Sequence, residues 1–472
     1  MATDMTEGTP WRRILYFTLP MLAGNIFQQL YNTVDTIVVG RYEGKNAIAA
    51  VSTSFPMFFM LLALVFGMNM GAGVVISQFF GAGKLEQVRR AVTTLAVFQF
   101  FCVLVMSPIG LMLSEPIFRL MKVPPEIMQD SLAYARIFFY GLVFMFGYNL
   151  LAGILRAIGD SRTPLIFLII SALTNIVLDI YFVASLGWGV AGVAWATLIS
   201  QCLSMILCFI YISRKIPLLS FTVQDIVFDR EILQSMIRLA IPSSLQQMVV
   251  SMGFMTVQSL VNSFGTVTMA AFSAAGRVDS FATMPIQNFG GALSTFAGQN
   301  VGAWKLERIS EGVRSTLMMS LLVCLFTTTL AYTAGPYLIE IFLDAGLEEN
   351  REVIAQGVDY IKTVTMFYFL FALSATLNGV LRGSGDTFTP MASSFFSLSV
   401  RIIVAYSLTS MPGVGYRGLW WSLPCGWLAG CVIPSIRYLS GTWKNRARQR
   451  YESIMNLTGS DPLPLALDLV EP

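Results

Sequence analysis

A ten-residue pattern, Leu-Arg-x-x-Gly-Asp-x-x-Thr-Pro, occurs twice in the chain, at Leu155–Pro164 and Leu381–Pro390, 226 positions apart. The same offset relates Tyr134 to Tyr360. It also relates Gly187, Gly189, Gly192 and Trp195 to Gly413, Gly415, Gly418 and Trp421. Nearer the start the offset shrinks. Gln78, Gly81, Lys84, Leu85 and Glu86 return 221 positions on as Gln299, Gly302, Lys305, Leu306 and Glu307, and Pro20 returns 222 positions on as Pro242. Matches in one order over this length mean a duplicated unit. Both copies must take one fold, and a function confined to one copy must reside where the two sequences differ.

Each copy is built of long uncharged runs, among them Ile14–Val34, Val51–Gly83, Ala91–Ser114, Ile137–Leu155, Val190–Ser213 and Ser315–Ile339. Only 12% of the 472 residues are charged, against about 25% in a soluble domain. A helix needs about 20 apolar residues to cross the hydrocarbon core, and barrel strands would instead show short alternating segments. The expected fold is all-α and polytopic, with twelve spans. Those of the first copy lie near 14–40, 50–80, 91–113, 132–155, 164–186 and 189–212. Those of the second lie near 239–262, 269–300, 314–338, 359–381, 390–410 and 417–438. Six is even, so each copy begins and ends on one side, and the copies are parallel repeats about an axis along the membrane normal. The expected organisation is 1–13 as a cytoplasmic N-terminus, 14–213 as an N-lobe, 214–238 as a hydrophilic cytoplasmic linker, 239–440 as a C-lobe and 441–472 as a cytoplasmic tail, disordered after Trp443.

Lys and Arg set the orientation. With both ends inside, 20 of the 30 basic residues fall in cytoplasmic segments, and only Arg277 and Arg401 fall within spans. The acidic loop around Glu340, Asp344, Glu348, Glu349 and Glu352 then lies outside. The net charge of +3 reflects this bias and implies no nucleic-acid partner. The six cysteines all sit in apolar runs and read as free thiols. There is no histidine, which removes the commonest general base and most metal sites. No nucleophile and base share a layer, so an enzyme is not expected, nor is a cofactor. The repeated Gly-Asp-x-x-Thr-Pro reads as a loop in which Gly turns, Thr caps the next helix and Pro takes its first position, with Arg156 and Arg382 available to an inner gate.

Three acidic residues lie deep in spans: Asp35, Asp179 and Asp279. A charge at the bilayer centre costs from about 3 to above 10 kcal/mol, so such residues are functional candidates. Counting from the outer span ends puts Asp35 about 9 Å deep, and Asp179 and Thr197 about 12 Å deep. Asn175 precedes Asp179 by one turn and shares its face. These four form one polar layer in the first copy, suited to hard-cation binding or to a proton shared between carboxylates. The repeat offsets match Asp35 to Thr256 or Val257, Asn175 to Arg401, Asp179 to Ala405 and Thr197 to Leu423, so the set exists once. The second copy instead holds Arg277, Asp279 and Arg401, readable as an internal ion pair or as substrate contacts. Gln28, Asn32, Gln246 and Gln247 are further mid-depth polar residues, and they need water or one another.

On Thr-Leu-Pro20, Val-Asp35-Thr, Asn175-x-x-x-Asp179, the duplicated Gly-Asp-x-x-Thr-Pro and Gly-Arg277-Val-Asp279-Ser-Phe, residues 10–440 resemble the multidrug and toxic compound extrusion (MATE) family. The resemblance implies two six-helix lobes around a central cleft and alternating access. It also implies export of amphipathic, often cationic, organic compounds driven by inward Na⁺ or H⁺, across a bacterial plasma membrane, by a monomer. In such proteins the cation site uses residues matching Asp35, Asn175, Asp179 and Thr197, and Pro20 matches a bend in the first helix. The seventh and tenth spans lack acidic residues, which is closer to the DinF-like than to the NorM-like pattern. Alternative expectations are a lipid-linked oligosaccharide flippase of the same superfamily and an exporter of a single metabolite. The choice between Na⁺ and H⁺ stays open, since the same oxygen ligands serve both.

Overall fold

In a computed structural model, residues 4–216, 227–342, 348 and 350–458 are described, and they form helices with short connections. The first copy gives α1 (Pro10–Tyr42), α2 (Gly44–Gly81), α3 (Leu85–Leu120), α4 (Pro125–Ala157), α5 (Arg162–Asp179) and α6 (Gly189–Lys215). The second gives α7 (Arg230–Asn262), α8 (Thr266–Gly302), α9 (Leu306–Glu340), α10 (Asn350–Thr365), α11 (Tyr368–Gly383), α12 (Phe388–Thr409) and α13 (Arg417–Leu439), followed by α14 (Thr442–Thr458). Each expected span coincides with a helix or helix pair. The 38 residues of α2 make about 57 Å of helix, so it extends well past a hydrocarbon core of about 30 Å. Nine of the twelve spans, counting α10–α11 as one bent pair, are apolar and long enough to cross a bilayer on composition alone. The other three, α1, α7 and α8, carry the polar residues singled out above, such as Gln28, Gln246 and Asp279.

Four local features differ from the sequence reading. The span expected at 359–381 is broken between Thr365 and Tyr368, with a bend of 51°. The carbonyl of Thr365 that the break frees accepts a hydrogen bond from Thr328 Oγ1 at 2.8 Å, which meets the demand that buried backbone be satisfied. The fifth span leaves α geometry after Asp179 and ends in a π-helical turn, Ile180–Ser185. In both repeated loops the side chain that holds the first turn is that of the Asp one residue before the N-cap, not that of the Thr. Asp160 Oδ1 accepts the Thr163 N–H and its Oδ2 the Thr163 hydroxyl (3.0 and 2.7 Å), and Asp386 does the same for Thr389 (3.1 and 2.9 Å). A carboxylate has two oxygens to offer and the hydroxyl only one, and Pro164 and Pro390 consequently sit two residues inside their helices. The glycines before the two aspartates have φ of +90° and +88°, a region costly for residues with a Cβ. Last, the tail is helical over Thr442–Thr458: Trp443, Ala447, Tyr451 and Ile454 recur on one face and are buried. Of the linker and the acidic loop, 217–226, Asp344 and Glu349 lie outside the described residues, as does the tail beyond 458.

The helices form two compact units, one of Leu19–Ile76 with Leu85–Ile241, the other of Asp4–Thr18, Ser77–Lys84 and Pro242 onward. The boundaries fall beside Pro20 in α1 and at Pro242 in α7, so each repeat's first helix changes units at its proline. A proline inside a helix removes one ladder hydrogen bond and permits a bend.

The first unit has a core of Phe58, Phe118, Phe139, Leu142, Phe146 and Val183, with Phe58 stacked on Phe138 at 3.7 Å. In the second unit Phe272, Tyr360 and Trp420 pack face and edge. There α8 and α11 meet backbone to backbone, because a Cβ on Gly379 would strike the carbonyl of Gly290. The duplication persists to single hydrogen bonds. Ser171 Oγ donates to the Ser200 carbonyl at 2.7 Å, and the repeat-equivalent Ser397 donates to Gly426 at 2.7 Å.

Candidate functional site

Asp35 projects from α1, while Asn175 and Asp179 stand one turn apart on α5, all within the first unit. Asp179 is fully buried (0% exposed) and Asn175 nearly so (2%). The carboxyls of Asp35 and Asp179 lie close enough to influence each other, with no hydrogen bond joining them. Both oxygens of Asp179, both polar atoms of Asn175 and Oδ1 of Asp35 are buried without a hydrogen-bond donor or acceptor. An unmet buried polar group costs about 1–3 kcal/mol, so five such atoms in one place mark a position shaped for something other than packing. The Ser171–Ser200 bond fixes the antiparallel register of α5 and α6 and sets Thr197 level with Asn175.

Two adjacent carboxylates away from water cannot both stay ionised without a counter-cation. Oxygen groups of this kind can share a proton or ligate a hard cation. The donor set fits both chemistries, since every group is oxygen or can present one. Among the described residues no cluster of three or more His, Cys, Asp or Glu could hold a transition metal.

Several neighbours escaped the sequence reading. Tyr31, one turn before Asp35, and Tyr134 on α4 lie close enough to both carboxylates to feel their charge. On α6, Ser200 Oγ and Gln201 Oε1 are also buried and unpartnered. Tyr134 was visible in the repeat, but nothing in a linear sequence tied it to Asp35. The π turn after Asp179 also carried no sequence signal, though such turns recur at functional sites.

The second unit holds a different polar group at the matching place. Arg401 stands where the first copy has Asn175, Asp279 where it has Phe58, and Tyr368 where it has Leu142. Tyr368 donates to Asp279 Oδ1 at 2.6 Å. The break before α11 lets this happen, because it brings Tyr368 to the head of a helix that faces α8. Arg401 and Tyr360, the counterpart of Tyr134, lie close enough to influence Asp279. Arg401 Nε is buried with no acceptor, and Arg277 instead lies over the Phe342 ring, 5.7 Å from its centroid. Among the described residues Asp279 is bound by the Tyr368 phenol, with Arg401 near enough to influence it.

The remaining cavity candidates are divided between the units. Gln28 and Asn32 are exposed on α1. Gln246 is engaged: it donates to Ser394 Oγ at 3.0 Å and accepts from Arg382 at 3.2 Å. Gln247 is half-buried beside it on α7.

A family model described as MatE matches the chain twice, over residues 20–181 and 242–407. The chain belongs to the MatE family. Each match begins at one of the duplicated prolines, so the family unit and the internal repeat are one object. MatE proteins are membrane transporters and not enzymes. Among curated relatives, "Probable multidrug resistance protein YoeA" of Bacillus subtilis is 30% identical over 450 residues, covering 93% of this chain and 96% of its own. A solved MOP superfamily transporter from Pyrococcus furiosus superposes with TM-score 0.85 at 24% identity, covering 96% of this chain and 98% of its own. A MATE structure titled as the bent conformation reaches 0.84 at 23%, covering 97% and 98%. These likenesses establish the MatE fold of twelve spans.

Proposed function

We propose that this MatE chain is a cation-coupled antiporter that expels amphipathic organic compounds, often cationic, in exchange for inward Na⁺ or H⁺ by alternating access. The supporting observation is the proximity of Asp35 and Asp179 together with the unmet polar atoms of Asn175, with Thr197 in register. The curated relatives' multidrug names point the same way. Asp35 and Asp179 exchange the coupling cation, Asn175 and Thr197 complete its coordination, and Pro20 lets α1 bend as the site fills. Cation binding drives substrate release only through its differential affinity for the two access states.

In the second unit Asp279, with Tyr368 and Arg401, contributes to substrate recognition, as do Gln246, Gln247 and Arg277; in the first unit Gln28 and Asn32 are substrate contacts. On this reading the protein works as a monomer in the bacterial plasma membrane, with both ends in the cytoplasm.

The test is gradient-driven export of a fluorescent organic cation by Asp35→Asn in energised vesicles, with Na⁺ and pH gradients imposed separately. Export falls to background while the amount of folded protein in the membrane is unchanged. Undiminished export by this variant would remove Asp35 from the coupling site.

A further inference from the structure

The ends of α2 and α8 cross at residues that the repeat relates to each other. A Cβ on Gly81 would strike the Gln299 carbonyl, and one on Gly302 would strike the Gln78 carbonyl. Gln78 and Gly81 match Gln299 and Gly302 at one offset, so the crossing is locally two-fold. Such a junction has no side chains at its centre, and what secures it must come from around it.

Each of the two glutamines is held by a segment from one end of the chain. Gln78 Oε1 accepts from Arg450 Nε of α14 at 3.1 Å, while its Nε2 donates to the Gly383 carbonyl at 3.0 Å. Arg450 lies against Gly385, and Tyr451 beside it packs on Trp304 at 4.8 Å. Gln299 Oε1 accepts from the Met5 N–H at 2.9 Å. The same strap is fastened by Asn300 and Arg308 to the Met5 carbonyl, by Lys305 to that of Thr6 and by Arg308 to that of Glu7. Met5 itself is fully buried. Arg382, one of the two loop arginines, donates to Gln246 Oε1 at 3.2 Å.

We propose that α14 and the Asp4–Glu7 strap form a latch that holds the end of α2 against α8, with Arg450, Gln78, Gln299 and Arg308 as its positioning residues. This rests on the transport reading above, and takes the crossing to be what parts when the face rich in Lys and Arg opens. A bond made in only one access state biases the equilibrium by its full strength. Arg450 therefore sets how often that face opens, without touching substrate or coupling cation.

The experiment places a reporter, Ser77→Cys, at a fully buried position of the crossing, and measures alkylation by an impermeant thiol reagent in inside-out vesicles. Arg450→Ala raises the alkylation rate about tenfold, the effect expected for losing a hydrogen bond to a charged group, and Arg450→Lys restores most of the protection. Equal rates in all three backgrounds would overturn the proposal. A second arm does not depend on the stability of the Ala variant. Gln78→Cys with Arg450→Cys is bridged by a cleavable bifunctional thiol reagent: export stops while the bridge is in place and returns on cleavage. Continued export by the bridged protein would also overturn it. Failure of the transport reading is distinguishable, because the unbridged parent would then export nothing under any gradient.

Discussion

The two units answer one packing problem with opposite electrostatics. Beside Tyr134 the first unit sets two carboxyls close to each other and leaves Asn175 unsatisfied. Beside the equivalent Tyr360 the second sets one carboxyl, bound by a phenol, with a guanidinium nearby. The backbone frame is shared down to the Ser171–Ser200 and Ser397–Gly426 bonds, so the fold does not impose the difference. Under the proposed function, a paired acid with no counter-charge beside it among the described residues takes up the mobile cation. An acid that already has a phenol donor and a nearby arginine has little need of one. A scaffold duplicated for symmetry can thus be asymmetric in chemistry through a handful of substitutions.

The comparison breaks most visibly if the second unit proves to be the coupling unit. Asp179→Asn is expected to abolish gradient-driven export. Asp279→Asn should leave export coupled and raise the substrate KM about tenfold, which corresponds to about 1.4 kcal/mol of binding. Vesicle export across a range of substrate concentrations measures both, and loss of coupling in Asp279→Asn would reverse the assignment. A smaller but more specific effect comes from importing the second unit's residue. Asn175→Arg places a guanidinium beside Asp35 and Asp179 and should occupy the site permanently, lowering export severalfold or more. The reciprocal Arg401→Asn should retain it, and a coupled Asn175→Arg protein would show that the acid pair is not the cation site. Smallest are the paired changes Ser171→Ala and Ser397→Ala, each expected to lower stability by about 1 kcal/mol. Thermal unfolding in detergent should show equal shifts, and a marked inequality would show that the shared frame is not energetically shared.

Much of this was legible in the linear chain. Uncharged runs of twenty residues leave helices as the only way to satisfy the backbone in lipid, and the repeated decapeptide gave the symmetry. Asp35 and Asp179 stood out because charge in a span is costly, Asn175 because it stands one turn before Asp179, and the repeat showed that they occur once. The break before Tyr368, the π turn after Asp179 and the hold of Asp160 and Asp386 on the first turn were not legible. The break and the Asp-held loops depend on which neighbour is there to complete the hydrogen bonds: Thr328 for the break, Thr163 and Thr389 for the loops. The helical tail was misread because its basic residues dominate the composition, while Trp443, Ala447, Tyr451 and Ile454 form a buried face only in three dimensions.

Sequence alone determined the number of spans, their duplication and the residues too costly to be incidental, because solvation in a bilayer is a one-dimensional constraint. Only tertiary structure decided that Asp35 lies close to Asp179, that Asp279 is bound by Tyr368 and that each glutamine of the α2–α8 crossing is held by a different end of the chain. Those pairings depend on helix rotation and register, which hydrophobic patterning leaves free when helices are apolar on every face.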